Sequence, residues 1–358
     1  MINVNEIQKL LEKIKTAKPE IRCDISGSSV ADQTVKVKES GTLDQGASQR
    51  TSVTLRAWNA NGRVGVVQLT SLAAEELMSA VDEALASAEL GPAEDLPDVP
   101  SPDTAGQLPA VSAKAADEKK LAAIEDMAQS LETAVAQLKS FHPDIQSVPY
   151  NALSQRRVER FYANTSGLVR TQINPSVSAY LYARGQAEGF KPRAAGHWGH
   201  EVSLGELNLS DVARVAAETL VAHLKPGKIP SGNYPVVFSG RAFLDLLSAF
   251  GNLFNAQNII DRQSLHTRET LGQAVASELL SVKDDPLHKW NVAPALFDGE
   301  GTAVQPVVLL EKGILKGLWH HSVSAKKFGV VSTGHARVGA KMTVGPWFYN
   351  VSAGEGLG

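Results

Sequence analysis

The sequence predicts an α+β protein in two parts. In residues 1–225 helices pack on one side of an antiparallel sheet; residues 226–358 are predominantly β. Three observations carry that prediction. Apolar residues recur at helical spacing in some stretches and alternate with period two in others. The best-marked pair of strands is joined by a short turn, which makes it antiparallel. Beyond Lys225 the long periodic helices give way to glycine-rich turns and short apolar runs.

Residues 3–18 read as an amphipathic helix, with Ile7, Leu10, Leu11 and Ile14 on one face and Pro19 ending the run. Residues 21–40 alternate in pieces, as half-buried strands do. In residues 51–70 Val53, Leu55 and Ala57 point one way, and the two strands flank Asn61-Gly62, a favoured tight hairpin turn. Residues 72–90, rich in alanine and glutamate, form a helix. Residues 91–112 hold five prolines and many small polar residues, an exposed Pro-rich loop. A helix follows at 114–139. A turn at Asn164–Gly167 leads into a strand over 168–186. The helix at 210–225 takes Ser210 as its N-cap. In the second part, turn residues at 226–233 precede a buried-type strand, YPVVFS (234–239), a helix at 241–250 and strands within 303–320.

Composition excludes several classes. Hydrophobic residues make up 43%, charged residues 20%, and the net charge is −3, so the chain as a whole is neither disordered nor a coiled coil. No basic block advertises nucleic-acid binding. No apolar run reaches the ~18 residues of a membrane span, and the start lacks the charged-then-apolar order of a signal peptide. The single cysteine, Cys23, cannot form an internal disulfide and fits a reducing cytoplasm.

Histidine is the natural place to look for a metal ligand or general base. The tightest group is His197, His200, Glu201 and Glu206. His200-Glu201 opens like the helical zinc motif HExxH, but position 204 is Leu and the flanking glycines oppose a helix. His197, His200 and Glu206 remain as a non-standard ligand set. His320 and His321 are adjacent on a strand-like run and face opposite ways. His335, after Ser332-Thr333-Gly334, is either a turn histidine or a cavity-lining one. Asp284, Asp285, Asp298 and Glu300 could serve as paired carboxylates but lack the calcium-loop spacing. Residues 297–301 read as a glycine-permitted turn whose acids cap backbone N–H groups. Trp347-Phe348-Tyr349-Asn350 could line a peptide groove, form a subunit interface or close a core. Candidate cavity or peptide contacts are therefore Asp298, Glu300, His335, Trp347 and Asn350.

The order of these features resembles the TldD/PmbA family, in its PmbA (TldE) branch. The stretches that carry the likeness are SVTLRAWNANGRVGVVQLTSLAAEEL, LKPGKIPSGNYPVVFS after a helix, the DDP…FDGEGT run, VVLLEKGILKGLWH and STGHAR. The resemblance implies an α+β N-terminal region and a mainly β C-terminal domain with a strongly curved sheet. It also implies a peptidase whose TldD branch holds its metal through HExxxH on the helix after the strand matched by YPVVFS, with a later cysteine ligand. The matching helix here, RAFLDLLSAFGNLFN, has neither His nor Glu, only the isolated carboxylate of Asp245, and Cys23 is far from the late position. The resemblance thus implies a non-catalytic subunit that binds no metal or cofactor of its own. It would pair with a zinc-bearing TldD-like metalloprotease, or with itself, around a chamber where unfolded peptides are cut. The family is also linked by name to DNA gyrase modulation; the acidic balance gives no support for direct DNA binding. Against the family pattern the chain is C-terminally short, lacking a further Gly-rich strand–helix segment. Two other readings stay open: a divergent metal-dependent peptidase using His197, His200 and Glu206 or the 284–300 carboxylates, and a peptide-binding scaffold without a peptidase partner.

Overall fold

Long antiparallel strands organise the first part of the chain. The computed structural model describes residues 4–91, 100–110, 121–338 and 342–353. After helix α1 (Val4–Ala17) come β1 (Arg22–Val37), β2 (Leu43–Trp58), β3 (Val64–Leu69), α2 (Ala74–Ala88), α3 (Ile124–Ser140), β4 (Ile145–Asn164), β5 (Val169–Gly185), β6 (Arg193–Glu201) and α4 (Leu209–Leu224). The six strands form one antiparallel sheet in the order β3-β2-β1-β4-β5-β6.

Period two divides this sheet into two unlike faces. Odd-numbered apolar residues lie side by side across strands, with Cys23 opposite Ala57, Ile25 opposite Leu55 and Val35 opposite Leu153. At one end of this face α1 and α2 pack through Ile14, Leu77 and Val81 onto Ile25, Leu55 and Phe161. At the other end α3 and α4 pack through Leu131, Ala216 and Leu220 onto Leu153, Ala179 and Leu181. Gly65 lets α2 approach β3, since a Cβ there would lie 1.7 Å from the Ala84 carbonyl oxygen. Each buried leucine in such a core is worth about 2–5 kcal/mol against truncation to alanine.

Several local expectations change in detail. The β2–β3 connection spans Asn59–Arg63, with Trp58 paired to Val64, rather than a two-residue turn. A two-residue Asn-Gly turn needs positive φ at both positions; here only Gly62, at φ 73°, adopts it, and the Asn59 side chain accepts from Asn61 N and Arg63 N. Helix α4 starts at Asn208, whose side chain accepts from Asp211 N, while the Ser210 hydroxyl donates to Gln137. Of the expected loop 91–112, residues 92–99 and 111–112 lie outside the described residues, as do 114–120 of the expected helix 114–139. Residues 100–110 are not uniformly exposed: Pro100 and Ala105 are buried, and Ala105 packs with Tyr162, Leu168 and Phe297.

The second part differs more from expectation. It contains α5 (Gly240–Ala249), α6 (Ala256–Ile260), β7 (Leu280–Asp284), β8 (Val307–Glu311), β9 (Ile314–Leu315), α7 (Ser322–Phe328), β10 (Ala336–Arg337), β11 (Thr343–Val344) and β12 (Tyr349–Ala353). Its strands form a four-stranded sheet, β12-β7-β8-β9, and a β10-β11 pair. Short helices and short strands therefore share this region, which is not mainly β among the described residues. Among the described residues of this part no sheet is strongly curved, because strands of two to five residues are too short to coil far. The segment YPVVFS is not a strand: it finds no partner among the described residues, and Val236, Val237 and Phe238 are exposed. Ser239 instead caps α5 by accepting from Ala242 N. The core of this part gathers Phe254, Leu309, Leu315 and Trp319.

Candidate functional site

Even-numbered residues give the second face of the large sheet a polar surface. Ser26 lies opposite Thr54, Ser28 opposite Ser52 and Arg160, and Ser176 opposite Arg156. These mostly small side chains leave space above the sheet. The second part of the chain partly roofs that space with Phe297-Asp298-Gly299 and Ala336-Arg337-Val338, leaving a half-open cavity of about 830 Å³.

At one end the roof closes directly on the sheet. Arg56 pairs with Asp24 through Nε, 2.9 Å, and through Nη2. The Tyr162 hydroxyl donates to Asp24 at 3.2 Å, and Asn164 Nδ2 donates to the Pro100 carbonyl at 2.8 Å. Asp24, Arg56, Tyr162 and Asn164 are all buried, so the second face is not solvated here. Burial drives the Tyr162 phenol well above its ordinary range, and it drives the Cys23 thiol up as well, keeping it unreactive.

The roof turn is built by its acids and glycines. Asp298 accepts from Glu300 N (2.9 Å), Thr302 N (3.0 Å) and Ala336 N (3.0 Å). Gly301 has φ 78°, and a Cβ there would meet the Tyr162 ring at 2.3 Å, so the turn sits tightly on the sheet. Glu300 accepts from Ser322 N and Oγ at 2.9 and 2.8 Å. Burial, then the neighbouring Glu300 charge, push the Asp298 carboxyl up to about 7 against the pull of its three amides.

Behind the turn, Asp284 accepts from Trp347 N and Phe348 N at 2.9 and 2.8 Å. His335 Nε2 lies 3.3 Å from Asp284 Oδ2, and its Nδ1 lies 2.9 Å from the Thr333 carbonyl oxygen. That geometry holds Trp347 in place, and its Nε1 donates to Gly334 O at 2.8 Å. The Arg160 and Arg337 guanidiniums approach the Trp347 ring at 5.4 and 3.4 Å. Burial lowers both, and the neighbouring Arg160 charge adds to bring Arg337 to about 10.

The predicted residues therefore scatter. Asp298 lines the cavity. Glu300 and His335 are buried behind its wall, and Trp347 supports the arginines from behind. Asn350 sits on β12 opposite Lys283, away from the lining. His200 lines the cavity, its basicity lowered by burial and then by Arg156. His197, three residues earlier on β6, projects to the other face, where its Nδ1 lies 3.0 Å from Arg241. The two histidines cannot share one ion, and Glu206 lies beyond the strand. Among the described residues no group of three or more His, Cys, Asp and Glu side chains is placed to hold a metal ion. His320 and His321 are both buried; burial leads in holding His320 down to about 4, while His321 Nδ1 accepts from Ser324 N. What the sequence reading missed is the arginine content of the cavity, Arg156, Arg160 and Arg337. Arg156 and Arg160 stand an even number of residues apart in a strand, which already places them on one face.

Two family models match this chain: the PmbA/TldA metallopeptidase central domain over residues 113–224 and its C-terminal domain over residues 231–356. Among characterised sequences, the metalloprotease PmbA homolog of Haemophilus influenzae is 30% identical over 125 residues, 35% of this chain and 28% of that protein. The metalloprotease TldD homolog of Buchnera aphidicola (Acyrthosiphon pisum) is 28% identical over 186 residues, 49% of this chain and 38% of that protein. The chain thus aligns with well under half the length of these relatives. Among solved structures, a putative modulator of a DNA gyrase from Thermotoga maritima superposes with a TM-score of 0.79 at 21% identity, covering 98% of this chain and 78% of that one. TldE from Thermococcus kodakarensis gives 0.79 at 19% identity with the same coverage. At these identities the superpositions establish the fold.

Proposed function

The chain belongs to the PmbA/TldD metallopeptidase family, and we propose that it acts there as a non-catalytic, TldE-like subunit. It contributes one wall of a chamber in which a TldD-like partner, carrying zinc, cuts unfolded peptides in the cytoplasm. The observation that carries this reading is the pairing of a roomy polar cavity with a helix that has lost its chemistry. Helix α5, where the resemblance puts the metal-binding helix, reads GRAFLDLLSA and offers no His, Cys or Glu. The donor set does not fit the family's metal, and no step is assigned to a metal on this chain. The cavity, in contrast, fits a peptide. Its floor of serines, threonine and asparagine offers hydroxyl and amide groups that can hydrogen-bond a peptide backbone.

The test is reconstitution with the TldD-like protein of the same organism. The expected result is a stable complex of the two chains and cleavage of an unfolded peptide that needs both. Cleavage by the TldD-like chain at full rate without this one, or by this chain alone, would overturn the assignment.

A further inference from the structure

We propose that Arg160 and Arg337 form a carboxylate-binding site in the cavity wall, where a peptide is held by a free carboxylate group. The site deepens the chamber reading and rests on it for the identity of its ligand as a peptide. Arg160 comes from β4 of the large sheet and Arg337 from β10 of the roof. Both line the cavity, and both approach one ring, Trp347. Arg160 also lies 5.6 Å over Phe297. Contact with aromatic rings favours a guanidinium electrostatically and leaves N–H donors for a ligand, beyond the one that Arg337 gives to Pro346.

Neither guanidinium forms an ion pair with a carboxylate of the described residues. Arg337 donates one N–H to the Pro346 carbonyl. Other arginines of this face are answered: Arg56 by Asp24, and Arg156 by Asp32 at 2.5 Å. Both arginines are half-buried, and arginines drawn out of water are ordinarily paired, because an uncompensated cation there is costly. The acids near them are already engaged by backbone amides: Asp298 accepts three, and Asp284, which also faces Arg337, accepts from Trp347 N and Phe348 N. The cavity wall thus carries Arg160 and Arg337, beside an Arg156 already paired with Asp32, against one lining acid, Asp298, with His200 kept toward its neutral form. A concave, positive, partly desolvated wall concentrates anions. Guanidinium forks suit the planar two-oxygen geometry of a carboxylate.

Two sources offer that chemistry in a peptide, the C-terminal carboxylate and an acidic side chain. Binding to the whole purified chain distinguishes them, with four probes: acetylated tetraalanine with a free C-terminus, its C-terminal amide, the amide carrying one internal glutamate, and acetylalanine. The site predicts that one of the carboxylate-bearing tetrapeptides binds at least about tenfold more tightly than the neutral amide. Preference for the free C-terminus assigns the α-carboxylate; preference for the glutamate peptide assigns the side chain. Arg160→Gln and Arg337→Lys should each erase the preference while the unfolding midpoint shows a folded chain; Arg337→Lys retains the charge and loses the fork. Equal binding of charged and neutral tetrapeptides overturns the carboxylate site and leaves the chamber reading standing. Arginine-dependent binding of acetylalanine without any tetrapeptide binding keeps the site and removes the chamber. Failure of all four probes to bind overturns both.

Discussion

Two ends of one sheet face handle buried charge in opposite ways. Near Trp58 the roof is shut, and Asp24, Arg56, Tyr162 and Asn164 satisfy one another and the backbone. A few residues along, at Ser28 and Arg160, the same face opens into the cavity, and Arg160 and Arg337 lie against aromatic rings without an ion-paired carboxylate among the described residues. The strands, the pleat and the polar face are common to both ends. The difference is whether the partner charge comes from this chain. A closed network stabilises the fold, whereas an open one leaves a binding preference in its place.

The largest expected effect comes from breaking the closed end. Arg56→Met should destabilise the chain by about 3–5 kcal/mol in denaturant unfolding, because Asp24 is left buried and unpaired. Arg160→Met is the matched experiment at the open end, and there stability should stay the same or rise. Equal losses at the two positions would remove the distinction.

An intermediate effect is expected from pH. The Asp298 carboxyl is raised in the folded chain, so the fold binds a proton the unfolded chain has released. Its contribution is full below the ordinary value of 3.8 and is lost as pH rises through about 7. His320 has the opposite sign. Held down to about 4 from 6.5, its contribution is full above the ordinary value and is lost as pH falls through about 4. Unfolding midpoints measured across this range should show Asp298→Asn flattening the loss with rising pH and His320→Gln flattening the loss with falling pH.

The smallest effect should come from the cavity floor. Ser28→Ala removes a hydroxyl that faces open space and should change stability by no more than about 0.5 kcal/mol. A larger loss, read by the same unfolding curves, would mean the floor is part of a closed network after all.

Much of the first part was legible because it obeys simple periods. Ile7, Leu10, Leu11 and Ile14 are all buried on α1, and Val53, Leu55 and Ala57 share the helix-covered face. The capping role of Asp298 in its glycine turn follows from short-range turn chemistry and appears as expected. Features decided by distant partners were not legible. YPVVFS has strand composition, but a strand needs a neighbour, and none of the described residues pairs with it. Ser210 and Asn208 are both good caps; the helix uses Asn208, while the Ser210 hydroxyl donates to Gln137, far along the chain. His197 and His200 look like a pair in sequence, yet strand alternation separates them. The site at Arg160 and Arg337 was hidden for the same reason, since β4 and β10 meet only when the roof folds onto the sheet.

The central claim is that a peptide occupies the space above the polar face, and filling that space tests it directly. Ser28→Trp together with Ser176→Trp places two indoles in the cavity. Reconstituted with a TldD-like partner, this variant should still fold and still form the complex, while cleavage of an unfolded peptide falls at least about tenfold, the loss of one modest set of binding contacts. Cleavage at the wild-type rate with both indoles in place would contradict the account.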